Sequence, residues 1–162
     1  IAYTPITDGI IQENDSIYEE RSFYIEAEHW PNNDNYLFQV GNSDSDDRYL
    51  VKAEPPSGIR WYVEAQGTNV TSGWTSDSTE RGYSNILKAA ASHKFNDSRV
   101  YTAQENSASD GACHAPTLDS TARISLGSLY GSSGTEMSGY IRKFAIYNDA
   151  LTRPELQTLV EV

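Results

Sequence analysis

The sequence has a single cysteine, Cys113, so no disulfide can close within the chain, and the redox compartment stays open. The adjacent His114 is its only neighbour of metal-binding type, too little for a structural zinc site. Basic residues are scarce as well. Twelve of them against twenty-three acidic ones give a formal charge of −11, which disfavours nucleic acid and anionic lipid as partners. No apolar run approaches the length of a membrane span, and no basic segment leading into an apolar one opens the chain, so membrane insertion is not expected. Methionine occurs once, at Met137, and a chain opening on IAYTPITDG reads as a fragment or processed product of something longer. Any address carried by the missing residues would be lost with them. Internal repeats and low-complexity tails are absent.

What the chain does have is tyrosine: eleven, with three tryptophans and only four phenylalanines. Most of its aromatics therefore carry a polar handle and suit half-wet faces as well as cores, although β-sheet propensity alone accounts for most of them. A length of 162 residues fits one domain, 1–162, with one core. In SFYIEAEHW, Phe23, Ile25 and Ala27 alternate with Tyr24, Glu26 and Glu28, the period of a strand with one buried face. NYLFQVGN and RYLVKAEP repeat the pattern around an acidic SDSDD hairpin loop, and GIRWYVEAQG follows with Ile59, Trp61 and Val63 on one face. The polar stretch NVTSGWTSDSTERGYS reads as a long loop or an irregular edge. NILKAAASHKFNDSRVYTAQ predicts two strands joined at Asn96 and Asp97, the flanking β pattern outvoting the helical propensity of KAAAS, and NSASDGACHAPT predicts a loop. TARISLGS adds a strand with Ile124 and Leu126 on one face, and GYIRKFAIY is the last. About nine short strands with turn signals between them predict an antiparallel sandwich or barrel.

The last strand runs straight into a helix start. Thr152 has the hydroxyl an N-cap needs, Glu155 can reach back to its backbone N–H, and Leu151 and Leu156 stand at the two positions of a hydrophobic staple. Pro154 falls in the first turn, where its missing N–H removes no helical bond. A helix of roughly two turns is marginal alone in water, so Leu156, Leu159 and Val160 must dock on something folded. The last strand provides it: Ile141, Ala145 and Tyr147 are expected on one side, Phe144 and Ile146 on the other, leaving one face for the sandwich and one for the helix.

The order ISLGS, a Gly-rich gap, then GYIRKFAIYNDALTRPELQTLV resembles the C-terminal signature of concanavalin A-like lectin/glucanase domains, or laminin G-like jelly rolls, and is closest to those of bacteriophage tail-fibre and other virion proteins. SFYIEAEHW, YLFQVGNSDSDDRYLVKAE, GIRWYVEAQG and SHKFNDSRVYTAQ fall in the order such domains show, so the resemblance covers most of the chain. It implies an all-β, two-sheet antiparallel jelly roll with a short C-terminal helix. Such folds often bind glycans and sometimes serve only as structural modules, a choice that fold analogy does not settle.

Retaining glucanases of this fold carry an E-x-D-x-x-E or E-x-D-x-E strand, which holds two carboxyls about 5 Å apart. No such motif is present. Glu26 and Glu28 share the strand period but lack a third acid and read as a solvated face, while His29, His93 and His114 read as surface or loop residues without a nucleophile to pair with. Catalysis is not supported. Asp44, Asp46 and Asp47 offer the hard oxygen ligands that calcium takes, but without EF-hand spacing a solvated hairpin loop is the favoured reading, with calcium the alternative and no other cofactor indicated. A sugar needs a flat aromatic for its apolar ring face and polar groups for its hydroxyls. Trp74 and Tyr83 with Asp77 and Glu80 meet that need in composition, and Trp30 beside Asn32 and Asn33 is a second candidate. The competing reading has these rings plugging the open ends of the sandwich. Asn14, Asn69 and Asn96 lie in N-x-[ST] triplets, relevant only on a eukaryotic secretory route.

The expectation is a non-enzymatic carbohydrate-binding or host-recognition module on the surface of a phage virion, with a cell-surface glycan or polysaccharide as partner. Its rivals are a purely structural or oligomerising virion jelly roll that binds no sugar, with a homo-oligomer within the virion assembly as its partner, and, third, a glycan-degrading enzyme.

Overall fold

The computed structural model describes residues 2–5, 19–29, 35–42, 47–54, 58–65, 68–75, 86–102, 106–109, 114–119, 121–129 and 136–161. These form β1 (Ala2–Pro5), β2 (Arg21–His29), β3 (Asn35–Gly41), β4 (Arg48–Glu54), β5 (Gly58–Ala65), β6 (Thr68–Thr75), β7 (Ile86–Lys94), β8 (Asp97–Thr102), β9 (Asn106–Ser109), β10 (Arg123–Leu126), β11 (Gly139–Tyr147) and the helix α1 (Arg153–Glu161). Of β1, β6 and β9 the backbone alone is described. The strands make a six-stranded sheet, β1-β10-β3-β4-β5-β6, and a five-stranded one, β11-β2-β7-β8-β9. All neighbours within each sheet are antiparallel. The predicted two-sheet jelly-roll sandwich with a short C-terminal helix is the architecture found.

The inward positions of both sheets build one core. Phe23 from the five-stranded sheet meets Phe38, Tyr49 and Trp61 from the other, with ring centroids 5.2, 5.1 and 5.5 Å away. Tyr49 and Trp61 stack at 5.9 Å with planes 13° apart. Tilted and offset contacts of this kind are the arrangements aromatic rings favour. The indole N–H of Trp61 donates to Ser98 Oγ at 2.8 Å, which satisfies its one polar atom inside the core.

Several strand-level expectations change. NVTSGWT is strand β6, so of the two readings of that stretch the irregular edge is the one that holds for residues 68–75: β6 closes one edge of the six-stranded sheet, and its register with β5 shifts at Val63/Glu64. The neighbour β5 provides the ladder that polar side chains could not predict. NSAS likewise leaves the predicted loop and pairs with β8 as β9. The β7–β8 turn is Phe95–Asn96 rather than Asn96–Asp97, with Lys94 opposite Asp97 and Asn96 in the left-handed region at φ 61°. KAAAS is strand, as expected, and its alanines are buried on both faces.

In β11 the register shifts between Ile141 and Lys143. Because one inserted residue reverses the facing of everything beyond it, Ile141 joins Phe144 and Ile146 on the core side, not Ala145 and Tyr147 as the plain alternation predicts. The helix docks chiefly over β7 and β8 rather than on β11 as expected, with Ala145 and Tyr147 of β11 only at its margin. Leu156 and Val160 are buried against Tyr24, Ala90 and Tyr101, with Ala145, Tyr147, Leu151 and Leu159 around them. The connection into α1 is tied to β2: Ser22 Oγ donates to the Asp149 carbonyl and accepts from the Leu151 N–H, both at 2.8 Å, and Arg21 donates to Asn148 Oδ1 at 3.0 Å.

Candidate functional site

The texts RYLVKAE and GIRWYVEA each place apolar residues at every second position, Tyr49, Val51 and Ala53 in one and Ile59, Trp61 and Val63 in the other, and these face the core. The intervening residues must then share the outer face of the six-stranded sheet. Register aligns them in rows across the strands. Tyr36 of β3 stands opposite Lys52 of β4, which stands opposite Arg60 of β5, which stands opposite Trp74 of β6. The next row is Ser125, Gln39, Leu50, Tyr62 and Ser72, and the third is Arg123, Gly41, Arg48, Glu64 and Asn69.

In the middle row Ser125, Gln39 and Leu50 are buried, so the accessible strip is made by the half-buried Tyr36, Lys52, Arg60 and Tyr62. The ammonium of Lys52 lies 5.6 Å from the centre of the Tyr36 ring, and the Arg60 guanidinium 5.6 Å from that of Tyr62 while also donating to the Tyr62 hydroxyl at 2.7 Å. These contacts hold both long cationic side chains against aromatic surfaces and reduce the rotamer entropy that binding would otherwise cost. Arg48 and Glu64 form a nearly buried ion pair in the third row. Gly41 is what lets that row close up: a Cβ there would lie 2.8 Å from both Arg48 Cα and the Asp47 carbonyl oxygen.

Four cations, Arg48, Lys52, Arg60 and Arg123, therefore share a face whose one carboxylate, among the described side chains, is Glu64. Among the described side chains this face runs against the sign of a chain of net charge −11. It can take a ligand that carries a carboxylate beside an apolar ring: Arg and Lys supply charge-assisted hydrogen bonds, and the tyrosines supply flat apolar surface and hydroxyls.

Of the sequence-predicted sugar contacts, only Trp74 lies within the described residues, by its backbone, at the end of the Tyr36–Lys52–Arg60 row. Trp30, Asp77, Glu80 and Tyr83 lie outside them, as do Asp44 and Asp46 of the hairpin loop. Asp47 is not a solvated loop residue. With φ at 44° and half-buried, its carboxylate accepts the Thr117 N–H at 3.0 Å, beside Asn42, whose amide donates to the Thr117 carbonyl at 2.7 Å and accepts the Asp119 N–H at 3.0 Å. These bonds fasten residues 117–119 to the β3–β4 hairpin, a long-range partnership with no trace in the local text.

Glu26 and Glu28 are half-buried on the five-stranded sheet and engaged rather than merely solvated: Glu26 accepts from the Tyr24 hydroxyl at 3.2 Å, Glu28 from Arg142 at 2.9 Å. Burial, with the charge of Glu26 added, pushes the Tyr24 hydroxyl up to about 12. His93 is no surface residue either. It shares the inward register of β7 with Leu87, Ala89 and Ala91, is wholly buried, and meets the Tyr49 ring at 5.7 Å. His114 is half-buried and stacks on Phe95 at 5.6 Å, and the side chain of His29 is outside the described residues.

The residues that sequence reading missed are Lys52, Arg60, Tyr62 and Tyr36. The alternation in β4 and β5 already separates Lys52, Arg60 and Tyr62 from the core positions; what it cannot give is their alignment with one another and with Tyr36 across three strands.

This sequence matches no protein-family model and no curated protein. Its fold is similar to that of the CBM40 carbohydrate-binding module of the Ruminococcus gnavus IT-sialidase, solved with alpha2,3 sialyllactose, at a TM-score of 0.72 and 16% identity over 90% of this chain and 84% of that one. It is also similar to part of the leech intramolecular trans-sialidase, at 0.68 and 17%, covering 90% of this chain and 24% of that one. A heptameric SAP-like pentraxin from Limulus polyphemus follows at 0.61 and 10%, covering 92% and 78%. At these identities the likeness shows the fold alone, a two-sheet β-sandwich.

Proposed function

We propose that this domain is a non-catalytic glycan-binding module that takes an anionic sugar across the outer face of the six-stranded sheet. The observation that carries the reading is the strip of Tyr36, Lys52, Arg60 and Tyr62, two cations each laid on a tyrosine ring within a strongly acidic chain. Trp74, opposite Arg60 in the register, extends the row and keeps its place as a stacking candidate. The R. gnavus module of similar fold, bound to a sialylated lactose, supports a carboxylated sugar as the ligand class. A binding role rather than hydrolysis is supported by the engagement of Glu26 and Glu28 with Tyr24 and Arg142, on the sheet opposite the cationic strip. The display of the module on a virion rests on the C-terminal resemblance alone, since the similar structures come from a bacterial sialidase, a leech enzyme and a Limulus pentraxin. Immunogold labelling of particles from a producing lysate would test it.

Titration calorimetry with sialyllactose, and with lactose as the neutral control, tests the site. Sialyllactose should bind and lactose should bind far more weakly. Arg60→Ala should remove about 2 kcal/mol, roughly 30-fold in affinity, as expected for a charge-assisted hydrogen bond, while its half-buried surface position leaves the melting temperature nearly unchanged. Full affinity in Arg60→Ala would place the ligand elsewhere. Failure of every glycan on an array to bind would favour the purely structural jelly roll.

A further inference from the structure

The opposite side of the sandwich carries a second feature that neither the core nor the helix uses. Among the described residues the exposed large hydrophobics are Tyr140, at 65% exposure, and Ile86, at 40%. They are far apart in sequence, yet register puts them in one row on the outer face of the five-stranded sheet, Tyr140 on β11 and Ile86 on β7, each directly opposite Glu28 of β2. Arg142, the residue at the β11 register shift, donates to Glu28 at 2.9 Å, and both side chains keep contact with solvent, 48% and 25% exposed. The adjoining row on the same face is Lys143, Glu26 and Lys88, and beyond it the row of Ala145, Tyr24 and Ala90 disappears beneath α1.

We infer that the domain has a second saccharide-binding surface on this sheet, in which the Tyr140 ring stacks on the apolar face of a neutral sugar and the Glu28–Arg142 pair takes its hydroxyls. An exposed aromatic ring beside a fixed acceptor and a fixed donor is the combination a pyranose requires. The signs of charge alternate along both rows, Arg142 with Glu28 and Lys143 with Glu26 and Lys88, so the surface makes no demand for a charged ligand. In this it differs from the cationic strip on the other sheet.

The size of the patch points the same way. Three strands span about 10 Å and two same-face rows about 7 Å, a footprint for one or two sugar rings and far below the roughly 800 Å² per partner of a stable protein interface. Pairing with a second copy through the β11 edge is opposed by the register shift and by the exposed Arg142 and Lys143, devices that keep edge strands from adding another strand. This surface does not depend on the cationic strip, and the two are tested apart.

The test follows backbone amide shifts by NMR during titration of the domain with lactose, maltotriose and the trimer of N-acetylglucosamine, and separately with sialyllactose. At least one neutral sugar should move the amides of Tyr140, Glu28 and Ile86. Tyr140→Ala should weaken that response at least tenfold, Tyr140→Phe should keep it because the ring remains, and both variants should melt with the wild type. Arg60→Ala should leave the response intact while weakening that to sialyllactose on the other sheet roughly 30-fold. No movement of this row with any neutral sugar overturns the inference, and so does an undiminished response in Tyr140→Ala. A response lost in Arg60→Ala would also overturn it, since it would then belong to the first face. Failure of sialyllactose alone overturns the first face and leaves this one standing.

Discussion

His93 is fully buried among aromatic and aliphatic side chains, and burial holds its imidazole down to about 4 from the ordinary 6.5. Nearby Asp97 opposes the shift and His114 adds slightly to it, but desolvation dominates. The sign of the consequence follows from which state holds the proton. Below pH 6.5 the unfolded chain protonates this histidine and the folded chain does not, so the contribution is complete above the unfolded value, shrinks as pH falls from 6.5 towards 4, and levels off below that. The loss is about 2 kcal/mol at pH 5 relative to pH 7. Urea denaturation of wild type and His93→Gln at the two pH values checks this: the variant, less stable at pH 7, should show a smaller fall between them. Parallel declines would show that other groups carry the dependence.

At the scale of elements, the helix shows a local signal and a long-range one acting together. Glu155 accepts the Thr152 N–H at 2.7 Å, as the capping box requires. The Thr152 hydroxyl, however, donates to the same carboxylate at 2.6 Å, and this pair of bonds holds the exposed Glu155 below the usual carboxylate range. Thr152→Ala removes the hydroxyl that donates to Glu155 and should lower stability by less than the change at Leu156 does. Leu156 has no exposure and fills the space between α1, β2, β7 and β8, so Leu156→Ala should cost about 2–4 kcal/mol through the cavity it leaves. Denaturation midpoints of the two variants give the order, and an unchanged midpoint for Leu156→Ala would mean that the helix is not docked. Strand β6 shows the converse: its sequence is too polar and glycine-containing to announce a strand, and β5 makes it one by offering an unpaired edge.

For the molecule as a whole, the core draws Phe23, Leu87 and Val100 from one sheet and Phe38, Tyr49 and Trp61 from the other. Neither sheet can keep its apolar face from water without its partner, so residues 1–162 are expected to unfold as one unit. Tryptophan fluorescence and far-ultraviolet circular dichroism should give coincident urea transitions. Separated midpoints would show two independently stable parts. The net charge of −11 sets a repulsion between copies of the chain that salt weakens, while Lys52 and Arg60 act on a ligand at contact distance, inside the screening length.

The sequence by itself determined which residues of β2, β4, β5 and β10 turn inward, because a strand alternates its side chains whatever it pairs with, and it determined the start of α1, because a cap is made by residues within one turn. Those local rules carried the fold class. They could not assign β6 and β9, the facing of Ile141 or the depth of His93, nor could they find the Thr117 partner of Asp47 or the Tyr36–Lys52–Arg60 and Tyr140–Glu28–Ile86 rows. Each of these depends on how strands and loops are set against one another, whether consecutive in the chain, as β5 and β6 are, or distant, as β2 and β11 are, and a register shift reverses the facing of every residue after it. Only the assembled sheets decide register, since it is fixed by ladders of hydrogen bonds and by which faces meet in the common core.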